Sequence, residues 1–426
     1  MEARCAPTGQ RYVALLLLLR AALGAVLLAG LPMFGRGAGD WPQILGPTRD
    51  GKAPDEHIAA SWPSSGPPLV WSRAVGRGYS GLAVRDDRCL LFHRLGQEAW
   101  AECLSADSGE PIWRQAVPTS YASTIAPDDG PRCVPLIHGE QVYLMTADGD
   151  LHCLQWSDGA RVWSRQLARD FAAPAGYFGA GSTPVVDGDR IFINVGGKSG
   201  AGLVALDRHA GQTAWTSTDE LASYSSPLAT TVAGRRQILF VTRLSVVSVE
   251  PADGHVLFQF AFGARGPTVN AASPVISGDR LFVTASYGVG ARLVQLDAAG
   301  ARELWNRDDA LSSQYTTPIE HEGYLYGIDG RQDLSDGSLR CVELATGKIA
   351  WTENQFGTGH LILAGKRLLV ARTCGEVVLV DPSPEGYRPT ARFQAFGPAA
   401  SAAAAVCAHE TGAPAIASTL SSQFLS

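Results

Sequence analysis

The chain of 426 residues is poor in charge, with Asp, Glu, Lys and Arg making up 18%. It carries 35 Lys and Arg against 41 Asp and Glu and has no basic run. That balance excludes nucleic acid as a partner. After residue 40 no segment sustains apolar residues at i, i+3 and i+4, which excludes a helical repeat. No two of the eight cysteines are adjacent. With Cys5 set apart ahead of the first apolar stretch, seven remain, and an odd number gives no complete disulfide framework. The nine histidines are scattered and none stands at metal-ligand spacing; His138 and His152 read as surface or turn residues. No serine sits in a Gly-x-Ser-x-Gly elbow. The glycine-rich stretches 179–182 and 196–202 do not lead a strand into a helix, as a phosphate loop does. Asp-Gly-Asp at 148–150 and 187–189 falls between strands and reads as turn chemistry rather than a Ca²⁺ site.

What the chain does have is a repeated phrase: glycine, three residues, tryptophan. It occurs at 109–113, 159–163, 211–215 and 347–351, with Gly254–Phe258 as a variant and Gly300–Trp305 one residue longer. Trp71, Trp113, Trp163, Trp215, Phe258, Trp305 and Trp351 follow one another at intervals of 42–52 residues. Such a period belongs to propeller blades or to helical repeats. Three units open with Pro-x-x-x-Gly, at 135–139, 184–188 and 274–278; an alternating run such as "RIFINV" (190–195) follows, then a segment such as "LVALD" (203–207), then the strand ending in Trp. Alternating β-branched and aromatic residues between Asp-Gly or Ser-Gly pairs are hairpin signals. Gly188 and Gly278 suit a turn that needs a positive φ. The expected fold is therefore all-β, a β-propeller of four-stranded antiparallel blades. The tryptophans read as packing between neighbouring blades, since burying an aromatic ring stabilises by about 2–3 kcal/mol. Cys103, Cys153 and Cys341 each stand six residues before the repeat glycine, where Ala205 and Ser248 also occur, so they read as core fillers. Cys89 and Cys103 could face each other on adjacent strands, a bond that export would permit, and the sequence leaves the pairing open.

Residues 1–39 read as a signal peptide or N-terminal membrane anchor. Arg4 and Arg11 precede the apolar stretch 13–31, which Arg20 interrupts, and Gly37, Ala38 and Gly39 offer a small-residue cleavage region. Cys5 lies before the apolar stretch, so it is not the acylated cysteine of a lipoprotein signal. Residues 40–66 form a Pro/Gly-rich lead-in without a strand pattern. The propeller spans 67–396. Its units run at about 79–113, 121–163, 177–215, 224–258, 270–305, 315–351 and 359–393, and the last has Phe393 or Phe396 in place of Trp. The strand ending in Trp71 precedes the first full unit, so the N-terminal strand is expected to close the ring. Residues 397–426 read as an irregular Ala/Ser-rich tail. The ring is accordingly either seven-bladed or eight-bladed with an incomplete last blade.

"LVALDRHAGQTAW" (203–215), "LRCVELATGKIAW" (339–351) and "DWPQILGPTRDG" ahead of "WSRAVGRGYSGLAV" resemble the pyrroloquinoline-quinone (PQQ) repeat family over about residues 40–396. The family includes quinoprotein dehydrogenases, the propeller of outer-membrane β-barrel assembly (BamB type) and exported planctomycete-type propellers. The resemblance implies export to the periplasm or cell envelope. Quinoprotein dehydrogenases need a Ca²⁺ site, an Asp base and typically an adjacent cysteine pair on the quinone. This chain lacks the cysteine pair, so no catalytic, metal or cofactor residue is carried over, and no cofactor is expected.

One theme suggests a binding surface. Tyr79 and Ser80, Tyr121, Ser182, Tyr224 and Ser225, and Tyr315 and Thr316 stand where each blade's innermost strand begins. These segments converge on one mouth of a propeller channel, where a ring of tyrosines and hydroxyls would take a small polar ligand or a protein partner. The other reading is that the hydroxyls cap inner-strand backbone groups. Membrane contact is expected only through an uncleaved N-terminal segment. The expected function is a non-enzymatic binding or scaffold module, with a quinone-dependent oxidoreductase and an outer-membrane assembly factor as alternatives.

Overall fold

The computed structural model describes residues 39–395, except 64 and 127, and the strands Ala404–Ala408 and Ile416–Thr419. Among these, seven four-stranded antiparallel sheets follow one another along the chain, at 83–118, 136–166, 185–217, 228–261, 275–307, 319–353 and 359–394. The eighth position holds a three-stranded sheet. Its outer strand, Leu69–Ala74, pairs with Ala404–Ala408, which pairs with Ile416–Thr419. The N-terminal strand thus joins the last sheet, as expected. Two strands fall in the segment 397–426, which composition alone presents as irregular; its small side chains give no aromatic or β-branched alternation to read.

Blade three shows why the sequence folds this way. Val185–Asp187, Arg190–Asn194, Leu203–Asp207 and Thr213–Ser217 meander outward from the axis. Gly188 turns the first hairpin at φ 58°. The second and third strands are buried on both faces, because a blade lies between two neighbours. They therefore read as apolar runs, whereas outer strands such as Arg161–Gln166 alternate between exposed and half-buried positions.

The repeated tryptophan fills the seam to the next blade. Trp215 packs on Phe192 of its own blade, with ring centroids 5.8 Å apart, and covers Gly254 of the next. Its indole N–H donates to Pro251 O at 3.0 Å. Trp113 donates likewise to Trp156 O, Trp163 to Arg208 O, Trp305 to Leu344 O and Trp351 to Ser383 O. The glycine and the tryptophan of one motif thus serve two different seams. Each outer strand is bulged one residue before its Trp, or at the matching place, for example at Val162 and Leu304. Such a bulge twists the outer edge and blunts it against edge-to-edge pairing. A Cβ on Gly254 would lie 2.6 Å from the Trp215 ring, at a φ of 77°. Gly254→Ala is therefore expected to cost about 2 kcal/mol, measurable as a lowered denaturation midpoint.

Blade seven departs from the rule. Its register puts Ala391, not Phe393 or Phe396, in the Trp slot. Phe393, two residues on and on the same face, covers Gly66 instead. Trp62 meets Phe393 edge-on at 5.3 Å and, with Ile58, packs against Leu369, Val377 and Leu379. A lead-in ring thus fills the place of the missing blade tryptophan.

Two further expectations are corrected. Cys89 pairs with Leu104, and Leu90 with Cys103, so the two cysteines are one residue out of register on opposite faces and do not bond to each other. His152 is not a surface residue. It is 4% exposed, with Nδ1 2.8 Å from Ser164 Oγ, because the strand Asp150–Gln155 is sandwiched between blades; His138 is exposed. Cys103, Cys153 and Cys341 are fully buried fillers.

Candidate functional site

Strand direction alternates within a blade. The segments joining one blade to the next therefore share a face with the hairpins between second and third strands. This is the loop face, and the remaining hairpins form the turn face. All eight residues of the aromatic and hydroxyl theme belong to the loop-face end of the inner strands.

The hydroxyls lie between blades. Ser80 Oγ donates to Cys133 O at 2.8 Å, Ser182 Oγ to Ser225 O at 2.8 Å, and Thr316 Oγ1 to Gly359 O at 2.7 Å. One residue on, a second set works in the opposite sense. Thr183 Oγ1 accepts from Val134 N, Ser226 Oγ from Thr183 N, Ser273 Oγ from Ser226 N, and Thr317 Oγ1 from Ser273 N. The recurring Ser/Thr-Ser/Thr-Pro thus knits adjacent inner strands whose edges make no sheet ladder, and it satisfies their backbone groups. Ser80, Ser182, Ser225 and Thr316 are each at most 4% exposed.

The tyrosines are half-buried and divide into two places. Tyr79 and Tyr121 flank the guanidinium of Arg132, with ring centroids at 5.2 and 4.8 Å. Tyr224 accepts a hydrogen bond from Phe178 N–H at 2.7 Å and packs on the Phe178 ring at 5.7 Å. With Tyr287 it joins Ala126, Phe178 and Val269 in one apolar cluster. Segments leading into blades two to five thus meet over the mouth. Tyr315 stands apart, donating to Gln332 Oε1 at 3.0 Å and lying 5.4 Å from the His360 ring. Burial pushes the phenols of Tyr79, Tyr224 and Tyr315 up to about 12, so all three stay protonated and neutral at physiological pH.

Sequence reasoning missed Arg132, Phe178 and Tyr287. Arg132 was within reach: it occupies the slot held by Tyr79, Tyr224 and Tyr315, immediately before the hydroxyl position. Among the described residues no group of three or more His, Cys, Asp or Glu is placed to hold a metal, and no helix is long and apolar enough to cross a membrane.

The lead-in occupies the channel. It starts on the turn face, where Asp40 accepts from Asp86 N–H at 3.3 Å and Trp41 pairs with Val84 of blade one. Ile137 N of blade two donates to Pro42 O at 2.8 Å. At the tip, Arg49 reaches Pro184 O and, at 2.6 Å, Pro227 O, with Nε on Gln43 Oε1 at 2.9 Å. The chain then returns to blade seven, where Lys52–Ala53 adds a parallel fifth strand beside Gly359–Ala364. Lys52 Nζ meets Glu320 of blade six at 2.9 Å. Arg49 is 5% exposed, and desolvation alone pulls its guanidinium down to about 9.

Comparison with known proteins agrees with this architecture. A family model described as "Outer membrane protein assembly factor BamB" matches residues 57–176 and 97–353. The Outer membrane protein assembly factor BamB of Yersinia pestis is 24% identical over 290 residues, 66% of this chain. The match also spans 66% of that protein, just under two thirds of its length. The crystal structure of BamB from Moraxella catarrhalis superposes with a TM-score of 0.57 at 17% identity, covering 80% of this chain and 94% of that one. The quinohemoprotein alcohol dehydrogenase ADHIIG from Pseudomonas putida HK5 gives 0.58 at 12% identity, covering 91% and 81%. At these identities both structures share the fold alone. The family model takes in most of the chain, and on that ground the chain belongs to the PQQ-like propeller family described as Outer membrane protein assembly factor BamB.

Proposed function

We propose that this protein is a non-enzymatic, exported scaffold that binds a protein partner through its loop face. The observation that supports this reading most is a polarity between the two faces. Leu95, Ile125, Tyr177, Leu221 and Leu334 are exposed by 42–59%, and all five stand on loop-face segments. The other large exposed apolar side chains, among the described residues, lie on outer strands: Leu69, Val70, Ile112, Val162 and Leu304. The hairpins of the turn face contribute none and carry charges such as Asp86, Asp87, Asp189, Asp279 and Lys366. Apolar side chains gathered on one side of a rigid ring suit a protein interface. The role printed for the Yersinia pestis relative, outer membrane protein assembly, is a protein-handling role of this kind, and the export reading of residues 1–39 would place the ring where such work is done. The likeness to ADHIIG is of fold alone.

A photo-crosslinking amino acid placed at Leu221 or Leu334 in the full-length chain is expected to trap one defined partner in cells, and the same group at Asp279 to trap none. Leu221→Asp with Leu334→Asp is expected to weaken the purified pair about tenfold at an unchanged melting temperature. Crosslinking from Asp279 alone would defeat the loop-face assignment. Saturable PQQ and Ca²⁺ binding with dye reduction by an alcohol or sugar would replace it with the oxidoreductase reading.

A further inference from the structure

The structure assigns a second binding site, entered from the turn face and running along the channel wall, whose ligand is an extended polypeptide carrying an arginine at its tip, and residues 41–53 are its internal ligand. The lead-in is held in the way a foreign peptide is held. It pairs its backbone with inner strands at Val84, Ile137 and Leu363, adds a short parallel strand, and inserts one long polar side chain between two blades. Backbone pairing to an open strand edge is the usual mode of peptide addition. These contacts reach inner strands of blades one, two, three, four, six and seven, so the occupied surface is the channel wall itself.

The same segment is poorly suited to being permanent core. Leu45 and Arg49 both adopt φ 58°, a left-handed conformation that bulky side chains rarely take. The guanidinium of Arg49 is buried on three neutral acceptors, and among the described residues no carboxylate lies within ion-pair distance of it. Backbone strain and an uncompensated buried charge both favour withdrawal. What opposes withdrawal is the backbone pairing, the Lys52–Glu320 ion pair and the covalent link, which holds the segment at an effective concentration of about millimolar. A plug balanced in this way closes the channel yet can be displaced by a segment of the same chemistry without the strain.

Two measurements on the full-length chain test this. In native-state hydrogen exchange, the amides of Ile137, Leu363 and Gly365 that bond to the plug are expected to exchange together, at least tenfold faster than blade amides such as Phe192. Exchange of both sets only with global unfolding would overturn the proposal and make the lead-in ordinary core. In the second measurement, a fluorescein-labelled peptide of residues 40–53 is added to the W41A/R49A variant and to the wild type. Saturable binding to the variant is expected, with at least tenfold weaker binding to the wild type, and a peptide with Ala for its arginine should bind the variant at least tenfold more weakly. A folded variant that fails to bind the peptide, or that binds both peptides equally, would overturn the proposal. If the variant does not fold, the exchange result on the wild type decides alone.

Discussion

Trp215→Ala is expected to lower the unfolding free energy by about 3–5 kcal/mol, one of the two largest effects anticipated here. Three losses combine. The ring is 9% exposed and packs on Phe192, so its removal leaves a cavity between blades three and four. Its N–H bond to Pro251 O disappears, and that carbonyl sits in the hairpin that positions Gly254. Gly254 itself loses the ring it was shaped to receive. The comparison residue is Trp100, which is half-buried and stacks beneath Arg114 at 3.9 Å within its own blade. Trp100→Ala is expected to cost about 1 kcal/mol, because no seam depends on it. Guanidinium denaturation followed by far-UV circular dichroism measures both. Equal losses would mean that the repeated tryptophan is merely a buried aromatic. The Trp215→Ala and Gly254→Ala effects should also fall short of additive when combined, since the two residues share one contact.

That prediction rests on the part of the fold legible in the sequence. Period, strand count per blade and the packing role of the tryptophans were all readable, because a seam residue must recur wherever a seam recurs. What could not be read involves contacts between units that do not repeat. The lead-in has no strand pattern because it borrows backbone pairing from three blades and side-chain contacts from three more rather than building its own sheet. Ala391 hides the weak seam of blade seven, and Trp62, which mends it, lies more than 300 residues earlier in the chain. The hydroxyl theme was visible, but its use depends on which neighbour each side chain meets. In the closed ring that neighbour is a backbone group of the next blade. The polarity of the loop face appears only once the meander fixes which hairpins share a side.

Acidification is expected to destabilise the ring well before its carboxylates titrate, through histidines buried in the neutral form. Desolvation pulls His152 down from 6.5 to about 4, with Arg161 adding to the effect and Asp148 opposing it. His93 is lowered first by desolvation, with Arg73 and Arg114 in the same sense and Glu102 against; its Nδ1 accepts from Gly76 N–H at 2.7 Å, a bond that a protonated ring cannot make. In the unfolded chain both take up protons near pH 6.5, while in the ring His152 resists until about pH 4. Between those values the unfolded state binds more protons. The contribution is therefore complete above 6.5 and is lost as pH falls toward 4, worth on the order of 3 kcal/mol for His152 alone. Asp40, Asp150 and Asp329, raised by burial, act in the opposite sense within the carboxylate range, so the test belongs above it. Denaturation midpoints compared at about pH 7.5 and about pH 5.5 should fall for the wild type and fall less for His152→Asn, each pH unit below 6.5 being worth about 1.4 kcal/mol per such histidine. Identical losses in the two proteins would mean that His152 opens to solvent before it is protonated. In that case the strand Asp150–Gln155 would be a place where the ring loosens locally, because its middle residues have no other route to water than through a parted seam between blades.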